Sequence, residues 1–109
     1  MAVTVLTDDD FAAKLAEADN AIVDFYAGWC GPCIMFKPKF NRISNDYPHV
    51  TFFMVNGEAA PAARKTVTID NLPFFGLYKK GERVDGFSTT EEPYFRQKIE
   101  ETFGKGGAS

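Results

Sequence analysis

The 109-residue sequence has no apolar run near the ~18 residues that a membrane-crossing helix requires. It has no arginine- or lysine-rich stretch. With 12 basic against 15 acidic residues the net charge is −3, which speaks against a nucleic-acid surface. It has no glycine-rich dinucleotide fingerprint, no internal repeat and no linker. The first basic residue is Lys14, so the N-terminus lacks the charged start and longer apolar segment of a secretory signal. The expectation is a cytoplasmic protein. Histidine occurs once and cysteine twice. Two cysteines three positions apart are a poor structural staple; in a reducing compartment such a pair points to redox or metal chemistry.

What the sequence does have is phenylalanine, 11 of them. A chain of this size buries roughly 60–70% of its unfolded surface, enough for a core without staples. It reads as a single domain over residues 1–109, with 104–109 a loose tail, and as a monomer. Val3–Leu6 is a short apolar strand. Thr7 followed by three aspartates reads as a capped helix start, and Phe11 and Leu15, four apart, give that helix a buried face. Ala21–Ala27 is apolar without alternation, the pattern of a strand covered on both faces. A turn over 28–33 precedes a helix from Ile34 to about Asp46, in which Pro38 removes one backbone bond. Val50–Asn56 is a second buried strand, and Ala59–Thr66 a short helix. Phe74–Tyr78 and Arg83–Phe87 form a hairpin, and a last helix is capped by Thr90 with Phe95, Ile99 and Phe103 as its buried stripe. The order βαβαβαββα implies an α/β fold with a central mixed sheet flanked by helices on both faces.

Cys30-Gly31-Pro32-Cys33 follows a buried strand and opens a helix. Backbone N–H groups at a helix start lack partners and carry partial positive charge, so a thiolate there is stabilised. C-x-x-C proteins are themselves the usual example of this effect. Cys30 is expected at the very start and exposed, with Cys33 one turn on and more covered. Cys30 would then attack a disulfide and Cys33 resolve the mixed disulfide. A zinc half-site or an inert thiol pair are the alternatives. For zinc, only His49 remains among the soft ligands, short of a full tetrahedral set; it stands beside Pro48 and is assigned no role. Asp24 is the second anomaly: a carboxyl inside a strand that otherwise reads as core, where burial raises its pKa.

Trp29-Cys-Gly-Pro-Cys33 after Val23-Asp-Phe-Tyr-Ala27 resembles the active-site segment of the thioredoxin family. Pro38, Asn56, Leu72-Pro73, Gly81 and Gly86 fall where that family has its helix kink, strand end, cis-proline turn, hairpin glycine and late glycine. The resemblance runs from Val3 to Phe103. It implies the thioredoxin fold, a redox-active Cys30–Cys33 disulfide, no metal and no bound cofactor. It implies a cis Pro73 packed against the disulfide, with Leu72 offering strand-like hydrogen bonds to an extended substrate. It also implies that Asp24 lies beneath Cys33 and helps deprotonate it through water. Trp29, Gly31, Pro32, Leu72, Pro73 and Phe74 then form the substrate-binding surface.

Three residues depart from the family pattern. Ile34 stands where lysine or arginine is usual, Met54 where many members have a lysine near the buried aspartate, and Phe74 where threonine follows the proline. Phe74 and Ile34 are expected to be at least partly exposed and to narrow the groove. The expected activity is reduction of protein disulfides, with re-reduction by a flavin-containing thioredoxin reductase. An oxidant or isomerase with few partners, or a redox-independent binding module, is the rival reading.

Overall fold

The central strand explains the rest of the architecture. The computed structural model of the protein describes residues 3–105, and in it β2 (Asn20–Tyr26) is buried on both faces from Ala21 to Phe25. β3 (Thr51–Asn56) lies parallel to it on one side, and β1 (Val3–Leu6) parallel to β3. β4 (Phe74–Lys79) runs antiparallel on its other side, followed by β5 (Glu82–Ser88), giving the sheet order β1-β3-β2-β4-β5. Alternate residues of β2 face opposite layers. Ala21, Val23 and Phe25 cluster with Phe11 and Leu15 of α1 (Phe11–Glu17) and Ala63 of α3 (Pro61–Arg64). Ile22 clusters with Phe36, Phe40 and Ile43 of α2 (Gly31–Ser44) and with Phe95 and Ile99 of α4 (Glu92–Phe103). Two covered faces leave β2 no solvent side, so its sequence does not alternate.

Most of the phenylalanines fill the α2–α4 side. Phe75 is fully buried, its ring 4.7 Å from Phe95, 5.4 Å from Phe36 and 5.9 Å from Phe40, centroid to centroid. These are the tilted and offset arrangements that aromatic quadrupoles favour. Between β4 and β5 the two-residue turn takes positive φ at both Lys80 (52°) and Gly81 (85°), the backbone twist that matches a two-residue hairpin.

The element order is the expected one, and the boundaries differ for local reasons. Regular helix begins at Phe11 rather than beside Thr7, because residues 8–10 form a turn in which the Asp10 carboxylate accepts from Thr7 N–H. Asp8, exposed in the turn before α1, serves a different helix: its carboxylate accepts from the backbone of Ala62 and Ala63 at the N-terminus of α3. α2 begins at Gly31, three residues ahead of Ile34, because Pro32 in the first turn needs no hydrogen-bond partner. Thr90 does not cap α4. Thr89 accepts from the Glu91 N–H instead, and Glu91 is the cap position. Gly104 is tied back through its N–H to Glu100 and its carbonyl to His49, while tail residues 106–109 lie outside the described residues.

Phe75 is the ring that α2, α4 and β5 share. Phe75→Ala should lower the unfolding free energy by about 3–5 kcal/mol in urea titrations, whereas Val84→Ala, on the outer strand and half exposed, should stay within about 0.5 kcal/mol of wild type. Equal effects would contradict the layer assignment.

Candidate active site

β2 ends at Tyr26 and α2 starts at Gly31, so the intervening residues must turn within one short loop. Cys30 closes it: its N–H donates to the Ala27 carbonyl at 3.2 Å, and its own position is the N-cap of α2. Cys30 Sγ accepts from the Cys33 N–H at 3.2 Å. That sulfur is therefore held against an unpaired donor at the positive end of a 14-residue helix, the environment that favours a thiolate. Cys30 and Cys33 are joined as a disulfide with Cα atoms 5.3 Å apart.

Cys30 is not exposed as expected. It is 5% accessible against 3% for Cys33, because Ala27, Tyr26 and Leu72 pack around the pair. The two cysteines differ instead in what they face. Cys30 lines a cavity of about 580 Å³ together with Trp29, Gly31, Pro32 and Leu72, and Cys33 does not line it. Leu72 arrives from the loop before β4. The Leu72–Pro73 peptide is cis, Pro73 is buried, and the Ser88 hydroxyl holds the Pro73 carbonyl at 2.7 Å. Among the described residues no hydrogen bond of the chain engages the Leu72 backbone. Trp29 is 72% exposed, yet its indole is not free: Nε1 donates to Glu58 Oε2 at 2.8 Å. Glu58 is in turn fixed by its N–H to Asn56 at the end of β3.

Asp24 is fully buried, and neither carboxylate oxygen has a hydrogen-bond partner. Its register neighbours are Met54 on β3 and Phe75 on β4, both apolar, on the sheet face covered by α2. Desolvation pushes its pKa from 3.8 up to about 8. Burial, and secondarily the field of that carboxylate, raises the pKa of the Tyr26 phenol two residues on, which lines the cavity. No three His, Cys, Asp or Glu side chains converge as a metal site among the described residues, and no helix there is long and apolar enough to cross a membrane.

A family model described as Thioredoxin matches residues 2–101. The chain is 36% identical over 103 residues to the thioredoxin of Ictalurus punctatus, covering 91% of this chain and 96% of that one. The chain belongs to the thioredoxin family. It is 35% identical over 98 residues to the Ophiophagus hannah thioredoxin, with 88% and 90% coverage. Among solved structures it is similar to Plasmodium falciparum thioredoxin, with a TM-score of 0.85 at 28% identity and coverage of 90% and 97%. A thioredoxin f2 from Chlamydomonas reinhardtii gives a TM-score of 0.86 at 25% identity, with 94% and 97% coverage. With its Cys30–Cys33 disulfide the protein is a thioredoxin-type disulfide oxidoreductase.

Within this thioredoxin-family site, Phe74 is the clear correction. It is 8% accessible and packs on Phe25 with centroids 6.1 Å apart, and it does not line the cavity. The cause is strand parity: Phe74 pairs with Phe25 and shares its face, so its ring packs into the cluster with Phe11 and Leu15. Its ring cannot narrow the groove. Ile34 is exposed on α2 but also lies outside the cavity lining. Met54 does sit beside Asp24, as the resemblance implied. Glu58 and Arg64 were not found from the sequence; both line the cavity, and no local signal ties Glu58 to a tryptophan 29 positions away.

The Asp24 carboxyl makes stability depend on pH with a definite sign. Its folded pKa, about 8, exceeds the unfolded value of 3.8. The neutral form thus stabilises the fold below the unfolded pKa, and that contribution is lost as pH rises between the two values. Unfolding free energy should fall across that window, with a slope of at most about 1.4 kcal/mol per pH unit, and Asp24→Asn should flatten it. A carboxyl that titrates like free aspartate by NMR would contradict the assignment.

Proposed function

We propose that the protein reduces disulfides of protein substrates by two-step exchange. The observation that carries this reading is that Cys30, the helix cap, opens on the cavity while Cys33 stands behind it. In the first step the Cys30 thiolate attacks one substrate sulfur. A mixed disulfide forms, and the second substrate sulfur leaves as a thiolate that takes up a proton. In the second step the ionised fraction of Asp24 takes the Cys33 proton through water, and the Cys33 thiolate attacks Cys30 Sγ and releases the first substrate sulfur as a thiolate. The substrate gains two electrons and the Cys30–Cys33 pair loses them.

An extended substrate segment fits between Trp29 and Leu72, whose unpaired backbone can add a strand-like contact. Gly31 and Pro32, exposed at the cavity edge, leave the approach to Cys30 open. The cis peptide to the buried Pro73 sets Leu72 at the start of this contact, and Phe74, paired with Phe25 and Ser88 within the sheet, lies beyond it. Asp24 is suited to its role because a carboxyl pushed up to about 8 exchanges a proton near neutral pH. The reduced pair is restored by a flavin-containing thioredoxin reductase, so the protein works as an electron carrier. It acts as a cytoplasmic monomer and needs no bound cofactor.

Trapping tests the division of labour. Cys33→Ser should accumulate mixed disulfides with client proteins, and Cys30→Ser should give none. Insulin-disulfide reduction should be lost in both variants. Mixed disulfides formed through Cys33 in the Cys30→Ser protein would reverse the roles.

A further inference from the structure

The cavity beside Cys30 is not uniformly apolar. Three ionisable residues line it besides the tyrosine and the cysteine: Glu58, Arg64 and Asp70. The two acids are exposed and face solvent, where their charge is screened. Glu58 is also engaged, since one of its oxygens accepts from the Trp29 indole.

Arg64 differs on every count. It is partly buried at the end of α3, where its backbone N–H is held by the Ala60 carbonyl. Its aliphatic stem lies across Gly57: a Cβ built there would stand 3.2 Å from Arg64 Cδ and 3.7 Å from Cγ. Gly57 itself lines the cavity and is fixed by its N–H to the Tyr26 carbonyl at 2.9 Å. The absence of a side chain at position 57 therefore seats the arginine stem against the cavity wall. Among the described residues the Arg64 guanidinium has no salt bridge and no hydrogen bond, although Glu58 lines the same space. Arg42 and Arg96, by contrast, are both paired with carboxylates.

We propose that Arg64 is a specificity-determining residue of the groove, which selects disulfides flanked by an acidic side chain. The inference rests on the exchange reading above and names the substrate class that this site takes. A guanidinium offers a planar set of donors that matches a carboxylate in two-point contact. Held by packing and partly removed from water, it gains more from such a contact than a free surface lysine would. The exposed Glu58 and Asp70 oppose it weakly and set a long-range preference for basic partners. At physiological salt that preference is screened over about 8 Å, while the contact at Arg64 persists.

The test uses symmetric disulfides of a short single-cysteine peptide, with the cysteine flanked on both sides by Glu, Gln or Lys. The second-order rate constant for oxidation of the fully reduced protein is measured for each at physiological salt. The Glu-flanked peptide should react about five- to tenfold faster than the Gln-flanked one, the reach of one partly screened charge-assisted contact. Arg64→Gln should abolish that ratio, Arg64→Glu should invert it in favour of the Lys-flanked peptide, and Arg64→Lys should keep part of it. Gly57→Ala keeps the charge but displaces the stem, and should lower the ratio as well. The same ranking in wild type and Arg64→Gln would overturn the assignment and leave the exchange chemistry standing. Oxidation by none of the three peptides would overturn the exchange reading, and this inference with it.

Discussion

The structure depends on one junction, the change from β2 to α2 between Tyr26 and Gly31. A strand buried on both faces delivers the chain to one edge of the sheet, and the helix must start there to cover the Ile22–Asp24 face. That start leaves backbone N–H groups without helical partners, and the Cys30 sulfur accepts one of them. Topology supplies the rest of the site. β3 is parallel to β2, so its end brings Asn56 and Glu58 to the same edge. β4 is antiparallel, so its beginning brings Leu72 and Pro73 there. The cavity is the meeting place of two strand ends and one strand start.

The same arrangement buries Asp24 beneath the helix, with Met54 and Phe75 as its strand neighbours and no hydrogen bond to either oxygen. An unpaired buried carboxylate is among the most unfavourable groups a core can hold, and the protein holds it mainly as the neutral acid at neutral pH. Local rules broken at a functional position are the expected pattern when activity and stability compete. The phenylalanine layer of Phe36, Phe40, Phe75 and Phe95 offsets that cost around the same face.

What could be read from the sequence was local. The strand–turn–helix around Cys30, the buried position of Asp24 and the hairpin glycine Gly81 each announce themselves within a few residues. What could not be read was set by pairing across the chain. The Phe74-Phe75 doublet has one ring on each face, and only the register with Phe25 and Asp24 says which is which. Cys30 is covered by Leu72, some forty positions later, so its burial was invisible at the motif. Glu58 under Trp29, Arg64 over Gly57 and Asp8 on α3 are likewise contacts between distant segments or between neighbours whose fold had first to be known.

The central claim is that the β2–α2 junction makes Cys30 the low-pKa, cavity-facing thiol. Its most direct test is the pH dependence of alkylation in the reduced protein, with each cysteine followed separately by peptide mass spectrometry. The account predicts that Cys30 is labelled first, with an apparent pKa below the ordinary thiol value of about 8.5, and that Cys33 reacts only at higher pH. Cys33 labelled ahead of Cys30, or a Cys30 that titrates at or above the ordinary value, would contradict it.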